Sequence, residues 1–420
     1  VPSRTDARPG PPQPRPAAQP LRRARQLYAR GARSYRAGDY HQAEAAYAAS
    51  AELFRRLRSA DRVELADVLT AHAEAKHQLD AYQDALDLAG QAYALVRRVH
   101  GDRARTSRSK ILGTLGNLHR ALGDYRRAGP VLQRALVVAR ELGPRTRHAA
   151  IAMNNLGMLY KYTGQFARAE AHYRRALRIT LRECGAEHPA VASLYHNIGG
   201  LAYTRERYAA AERWGRAAME LRTRLFGARS VHTAADAAAL AASLDGLGRH
   251  AEAQQLYHRV LAIFRRRYGA CHYELAVNLN NLGASLYAEG KLAAATEKYR
   301  EALQVKRRVL GRSHIDVALT ANNLGILYLK QGRPRLAVRY VDQARTILLG
   351  QLGPRHPKAR AVLANWRAVL AATAGPPAPA ASDRRRRPRR RPSATDRGAI
   401  GEPASPRASR ATSTAAWRRG

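Results

Sequence analysis

Residues 154–177 read NNLGMLYKYTGQFARAEAHYRRAL, and this stretch decides the fold. Ahead of Gly164, Ala152, Leu156 and Leu159 are spaced by four and then three residues. Behind it, Phe166, Ala169, Tyr173 and Ala176 are spaced by three, four and three. Both stripes follow the period of a helix, so the spacing predicts two amphipathic helices. The turn Thr163-Gly164-Gln165 is too short to join them except as an antiparallel pair.

Working outward, the position of Phe166 recurs at Tyr40, Tyr82, Tyr125, Tyr208, His250, Leu292 and Pro334, at intervals of 41 to 43 residues. Three residues after each stands an alanine: Ala43, Ala85, Ala128, Ala169, Ala211, Ala253, Ala295 and Ala337. Seven residues further on, a second small column holds Ala92, Ala135, Ala176, Ala218, Ala302 and Ala344, with Ser50 and Val260 as its exceptions. Gly116, Gly157, Gly199, Gly283 and Gly325 mark the predicted first helices. Glycine inside a helix costs about 1 kcal/mol against alanine. Its recurrence predicts a crossing that a larger side chain would block. A fixed period of this length is the mark of a stacked array.

The chain thereby resembles the tetratricopeptide repeat family, in the 42-residue version found in kinesin light chains. The resemblance rests on Asn154-Asn155-Leu156-Gly157-Met158-Leu159-Tyr160, Ala169, Tyr173, Ala176-Leu177 and the loop Gly185-Ala186-Glu187-His188-Pro189. It implies an all-α, right-handed superhelical solenoid of about eight helix-turn-helix repeats. The expected organisation is a Pro- and Arg-rich leader over residues 1–20 and eight repeats over 21–354. A capping helix over 355–374, carrying Leu363, Trp366 and Leu370, and an Arg-, Pro- and Ser-rich tail over 375–420 complete it. Leader and tail have the composition of disordered chain.

Composition agrees with helices packed at short range: 45% of residues are hydrophobic but only 6% aromatic. No apolar run is long enough to cross a membrane, and the leader has no apolar core of a signal peptide. Cys184 and Cys271 are the only cysteines, too few for a disulfide framework or a zinc quartet. A reducing, cytoplasmic setting is therefore expected. The net charge is +41, of which the tail carries +9 and the leader +2, so the repeats themselves carry +30. Only eight of the 73 basic residues are lysine.

Three columns are candidates for function. Arg56, Arg98, Arg140, Arg182, Arg224, Arg266 and Arg308 recur every 42 residues, each expected in the last turn of a second helix. Cations there complement the helix dipole, and together they form a ladder suited to an anionic partner. His188, His272, His314 and His356 share the loop before a first helix. Successive repeats lie about one helix diameter apart, too far for these rings to converge on one zinc ion, so no metal or other cofactor is expected, and the resemblance implies a loop and helix-start position for them. The pairs Asn154-Asn155, Asn280-Asn281 and Asn322-Asn323, with His196-Asn197 in the fifth repeat, mark the first helices. The sixth repeat departs, with Ala238-Ala239. The second residue of each pair is expected to bond to a neighbouring repeat. The first, by the resemblance, is expected to face a concave groove that holds extended peptides. Amides donate and accept, so they grip a peptide backbone whatever its sequence.

No Gly-rich phosphate loop, metalloprotease helix or nucleophile elbow occurs, so catalysis is not expected. The sequence predicts a non-enzymatic scaffold or adaptor whose partner is a protein or peptide segment, with acidic segments favoured. The alternative is a nucleic-acid-associated basic repeat protein, aided by the run Arg384-Arg385-Arg386-Arg387-Pro388-Arg389-Arg390-Arg391. Oligomeric state is not written in the sequence.

Overall fold

The computed structural model describes residues 18–57 and 61–373, and the regular elements among them are all α-helices. Four pairs open the chain: α1 (Ala18–Ala37) with α2 (Tyr40–Arg56), α3 (Arg62–Gln78) with α4 (Tyr82–Val96), α5 (Asp102–Ala121) with α6 (Tyr125–Glu141), and α7 (Arg147–Tyr162) with α8 (Phe166–Cys184). There follow α9 (Pro189–Thr204) and α10 (Tyr208–Phe226), then α11 (Val231–Gly246) and α12 (His250–Tyr268). The last are α13 (Tyr273–Ala288) with α14 (Leu292–Leu310), α15 (Ile315–Lys330) with α16 (Pro334–Leu352), and α17 (Pro357–Thr373). The chain divides within α9 into two compact units, one ending at Asn197 and one beginning at Ile198.

In the first unit α3, α5 and α7 each pack on their own second helix and on the first helix of the preceding pair. In the second unit α10 to α17 pack in chain order, and α17 lies against both α15 and α16. All eight alanines of the first small column are at most 1% exposed, because each sits where two helices cross. The glycine column serves the same crossing. A Cβ on Gly157 would stand 2.6 Å from the Tyr173 ring, and one on Gly325 would stand 2.4 Å from Val341 Cγ2. Gly116, Gly157, Gly283 and Gly325 each accept a bulky residue 16 positions later in their own pair, Tyr47 fills the same role against Gly31, and Gly199 instead faces Gly215.

The turn within each pair closes on a left-handed residue. At Gly164 φ is 75°, and the Gln165 N–H returns to the Tyr160 carbonyl at 2.8 Å. This closure satisfies carbonyls the helix end would leave open. Asp80 (φ 60°) and Glu206 (φ 57°) hold the same position without being glycine.

Two details differ from the sequence reading. α1 begins at Ala18, inside the stretch read as leader, because Pro20 falls in the first turn, where its missing N–H leaves no bond unmade. Arg98 is not in a last helical turn: α4 has 15 residues and stops at Val96, with Arg97 as its C-cap. From α8 to α16 every second helix instead has 19 residues and ends against a glycine with φ between 73° and 83°. The remainder of the leader, the tail and its arginine run lie outside the described residues.

Candidate functional site

The four loop histidines share one task. The Ala190, Glu274, Asp316 and Lys358 N–H groups donate to Nδ1 of His188, His272, His314 and His356 at 3.0–3.2 Å. Each ring thus satisfies one open donor at the start of a first helix. Asp61 and Ser230 cap α3 and α11 in the same way, through the N–H groups of Val63 and His232.

The asparagines are drawn into contacts between repeats. Asn197 Nδ2 donates to Asn154 Oδ1 at 2.8 Å, and Asn365 Nδ2 donates to Asn322 Oδ1 at 3.1 Å. Among the named second-position residues Asn197 thus reaches a neighbouring repeat, and the group it meets is the first asparagine itself. Asn154 is 1% exposed and Asn322 5%, so neither presents an open amide to a ligand. Asn155, Asn281 and Asn323 are buried as well. His196 and Asn280 alone among these eight remain partly exposed. At Asn280 the carbonyl is occupied, since Thr320 Oγ1 donates to its Oδ1 at 3.1 Å. That bond fixes the amide and leaves its Nδ2 hydrogens for another acceptor.

The same register, one residue on a first helix bonding another 40 positions later, recurs with acids. Ser107 donates to Asp67 at 2.7 Å, Thr114 to Glu74 at 3.0 Å and Ser285 to Asp245 at 2.6 Å. Burial pushes the Asp245 carboxyl up, while the bonds from Ser285 and His250 pull it back.

A cationic cluster was missed in the sequence. The Arg120 guanidinium and the Lys161 ammonium each lie 5.1 Å from the centre of the Tyr162 ring, which is 41% exposed. Cations over an aromatic face are held by its quadrupole. Burial and then the Arg120 charge hold the Lys161 ammonium below the ordinary lysine range. The signal was a column five residues before each second helix: Tyr35, His77, Arg120, Lys161, Tyr203, Asp245, Tyr287 and Leu329. Its chemistry changes from repeat to repeat, so it does not stand out as a repeat.

All seven arginines of the 42-residue column are exposed. Arg182 Nη2 donates to the Arg145 carbonyl at 2.9 Å, and Arg56 pairs with Glu52 at 3.0 Å. Exposed pairs of this kind contribute little, on the order of 1 kcal/mol or less.

A family model described as tetratricopeptide repeat matches residues 107–182, 148–224, 190–266 and 273–350. No curated protein matches the sequence. Among solved structures, a Rap protein complexed with competence and sporulation factor superposes with a TM-score of 0.54 at 14% identity, covering 85% of this chain and 98% of that one. Aspartyl phosphate phosphatase F from Bacillus subtilis gives 0.52 at 14% identity, covering 70% and 73%. A putative kinesin light chain from Podosopora anserina with nearly identical repeats gives 0.42 at 18% identity, covering 48% and 95%. At these identities the likeness is one of fold. Among the described residues no helix is long and apolar enough to cross a membrane.

Proposed function

Because the chain belongs to the tetratricopeptide repeat family, matched over more than half of its length, we propose that it is a non-enzymatic interaction scaffold binding extended protein segments along its first helices. The observation that carries this reading is Asn280. It is partly exposed, its carbonyl is fixed by Thr320, and its Nδ2 hydrogens are left to meet a peptide carbonyl. His196 holds the equivalent position in the fifth repeat and is also partly exposed. That a Rap protein of this fold was solved in complex with competence and sporulation factor supports the reading.

The test is Asn280→Ala, assayed against segments recovered by peptide display on the intact chain. A hydrogen bond contributes about 0.5–1.5 kcal/mol net, so the substitution should weaken binding roughly two- to tenfold. Unchanged affinity in a variant that melts normally would reject the first-helix surface.

The exposed arginine column favours one second reading, an anionic polymer as partner. Duplex DNA anisotropy at two salt concentrations separates the two. Binding that vanishes with salt is counterion release alone, whereas sequence-selective binding surviving high salt would favour nucleic acid.

A further inference from the structure

A hollow opens between the second helices of the fifth and sixth repeats, α10 and α12, over α11, and neither His196 nor Asn280 lines it. Its volume is about 470 Å³, and its walls are Met219 and Thr223 of α10 and Val260 and Ile263 of α12. Ala234 and Ala237 of α11 form part of the lining between them.

The sequence explains why there is space. One period away on either side, Ala237 is replaced by Tyr195 and Leu279, and Thr233 by Val191 and Leu275. Ala237 is thus smaller than its counterpart on both sides, and Thr233 is shorter than Leu275 while matching Val191 in size. The polar groups of the lining are already spent. Thr223 Oγ1 donates to the Met219 carbonyl at 2.7 Å, and Thr233 Oγ1 donates to the Gly227 carbonyl at 2.9 Å. With its hydroxyls turned to the backbone, the hollow offers an apolar interior and strands no donor when an apolar group enters.

The rim is charged. Arg224 stands on the α10 wall and Arg259 on the α12 wall, both exposed, with Glu220 as the single acid. Arg224 is also a rung of the 42-residue arginine column, so the hollow interrupts that ladder. Two cations on opposite walls match an apolar anchor with a carboxylate on each side. A fatty acid brings one carboxylate at one end, so it can reach only one of the two walls, whereas a peptide can present a carboxylate to each.

We propose that this hollow is a second docking site, taking one large apolar side chain of an acidic protein segment, with Arg224 and Arg259 pairing its flanking carboxylates. Buried anchors of this kind dominate interface energetics, while charges on a rim chiefly raise association rate.

The probe is a short fluorescent peptide with Leu-Phe at its centre and Asp and Glu on both sides, titrated into the full chain. Ala237→Leu fills the hollow with the residue the seventh repeat already carries, and should weaken the peptide about tenfold or more. Arg259→Ala should weaken it less and flatten its salt dependence. On the unaltered chain, hydrogen exchange should slow over residues 219–224 and 259–263 when the peptide binds. This second readout decides the matter if Ala237→Leu does not fold. No binding by the peptide, equal binding after filling, protection elsewhere, or equal binding of a peptide with Ala-Ala at its centre would each overturn the proposal. So would displacement of the peptide's role by decanoate alone. Asn280→Ala leaves this site intact, so failure here and failure of the first-helix reading are told apart.

Discussion

Residues 205–268 and residues 273–352 are built on one period, yet the first stretch departs from it at its turn, its bulky packing residue and its asparagine pair. In the second, the turns close on Gly290 and Gly332, and Gly283 and Gly325 receive Tyr299 and Val341. In the first, Glu206 takes the left-handed turn, and Gly215 stands where the bulky residue is expected. Ala238-Ala239 replaces the asparagine pair there. One packing slot shows what the difference means. Arg222 Nε lies 2.7 Å from Asp236 Oδ2, with the two side chains 7% and 1% exposed. One period later the same positions are Phe264 and Asn278, and one further they are Lys306 and Thr320, joined at 2.9 Å. The columns of small residues set where helices cross. They do not set what fills the space between pairs, and there the repeats acquire individual chemistry.

The sharpest way to break the comparison is Asp236→Ala. It leaves the Arg222 guanidinium buried without its carboxylate, and should cost about 3–5 kcal/mol in denaturant unfolding. Arg222→Met with Asp236→Ala should recover most of that loss. If the single change is mild, the slot is wetter than its burial indicates and the two regions differ less than described.

Acid should act on the same place. Burial and then the Arg222 charge lower the His232 imidazole to about 4. Its unfolded counterpart takes up a proton near the usual value of about 6.5, so unfolding is favoured as pH falls through that window. The stabilisation is complete above about 6.5 and lost progressively towards 4. An NMR titration in which His232 protonates near its usual value would remove this contribution.

Matched glycine substitutions sharpen the contrast. Gly325→Ala drives a methyl into Val341, with backbone atoms at 3.2 Å behind it, and should cost about 1–3 kcal/mol. Gly215→Ala meets Leu240 only at 3.5 Å and should be neutral or stabilise by up to about 1 kcal/mol. Of similar size, Glu206→Gly should stabilise by about 1 kcal/mol by relieving a left-handed non-glycine residue, and smallest of all, Lys306→Met should change stability little. Thermal melts of the four proteins check both the order and the signs.

These effects also show how far the sequence could be read. Ala169, Gly157 and the turn at Gly164 were legible because packing demands one residue size or one backbone conformation at the same place in every repeat. His188 and its counterparts were legible for the same reason, as helix starts. Asn154 was half legible. Its phase put it on a first helix, but whether its amide faces solvent depends on a partner 43 residues away, Asn197. The Arg222–Asp236 pair and the Arg120–Tyr162–Lys161 cluster left no repeated chemistry, because their columns change residue from repeat to repeat. Each joins residues that occur once, and only contact in space makes them a unit.

The histidine caps carry a consequence for how such a chain can change its length. α13 and α15 open with the same residue accepting the same backbone N–H, at 3.2 Å and 3.0 Å. Excising residues 272–313 would therefore join Cys271 to His314 and restart a helix with its punctuation intact. Recombination between those two points subtracts one period and leaves the cap at the new junction unchanged. A cut that separated Arg222 from Asp236 would lack that protection, because the pair is private to its two neighbours. Length is thus negotiable near the end of the array and fixed around its sixth repeat.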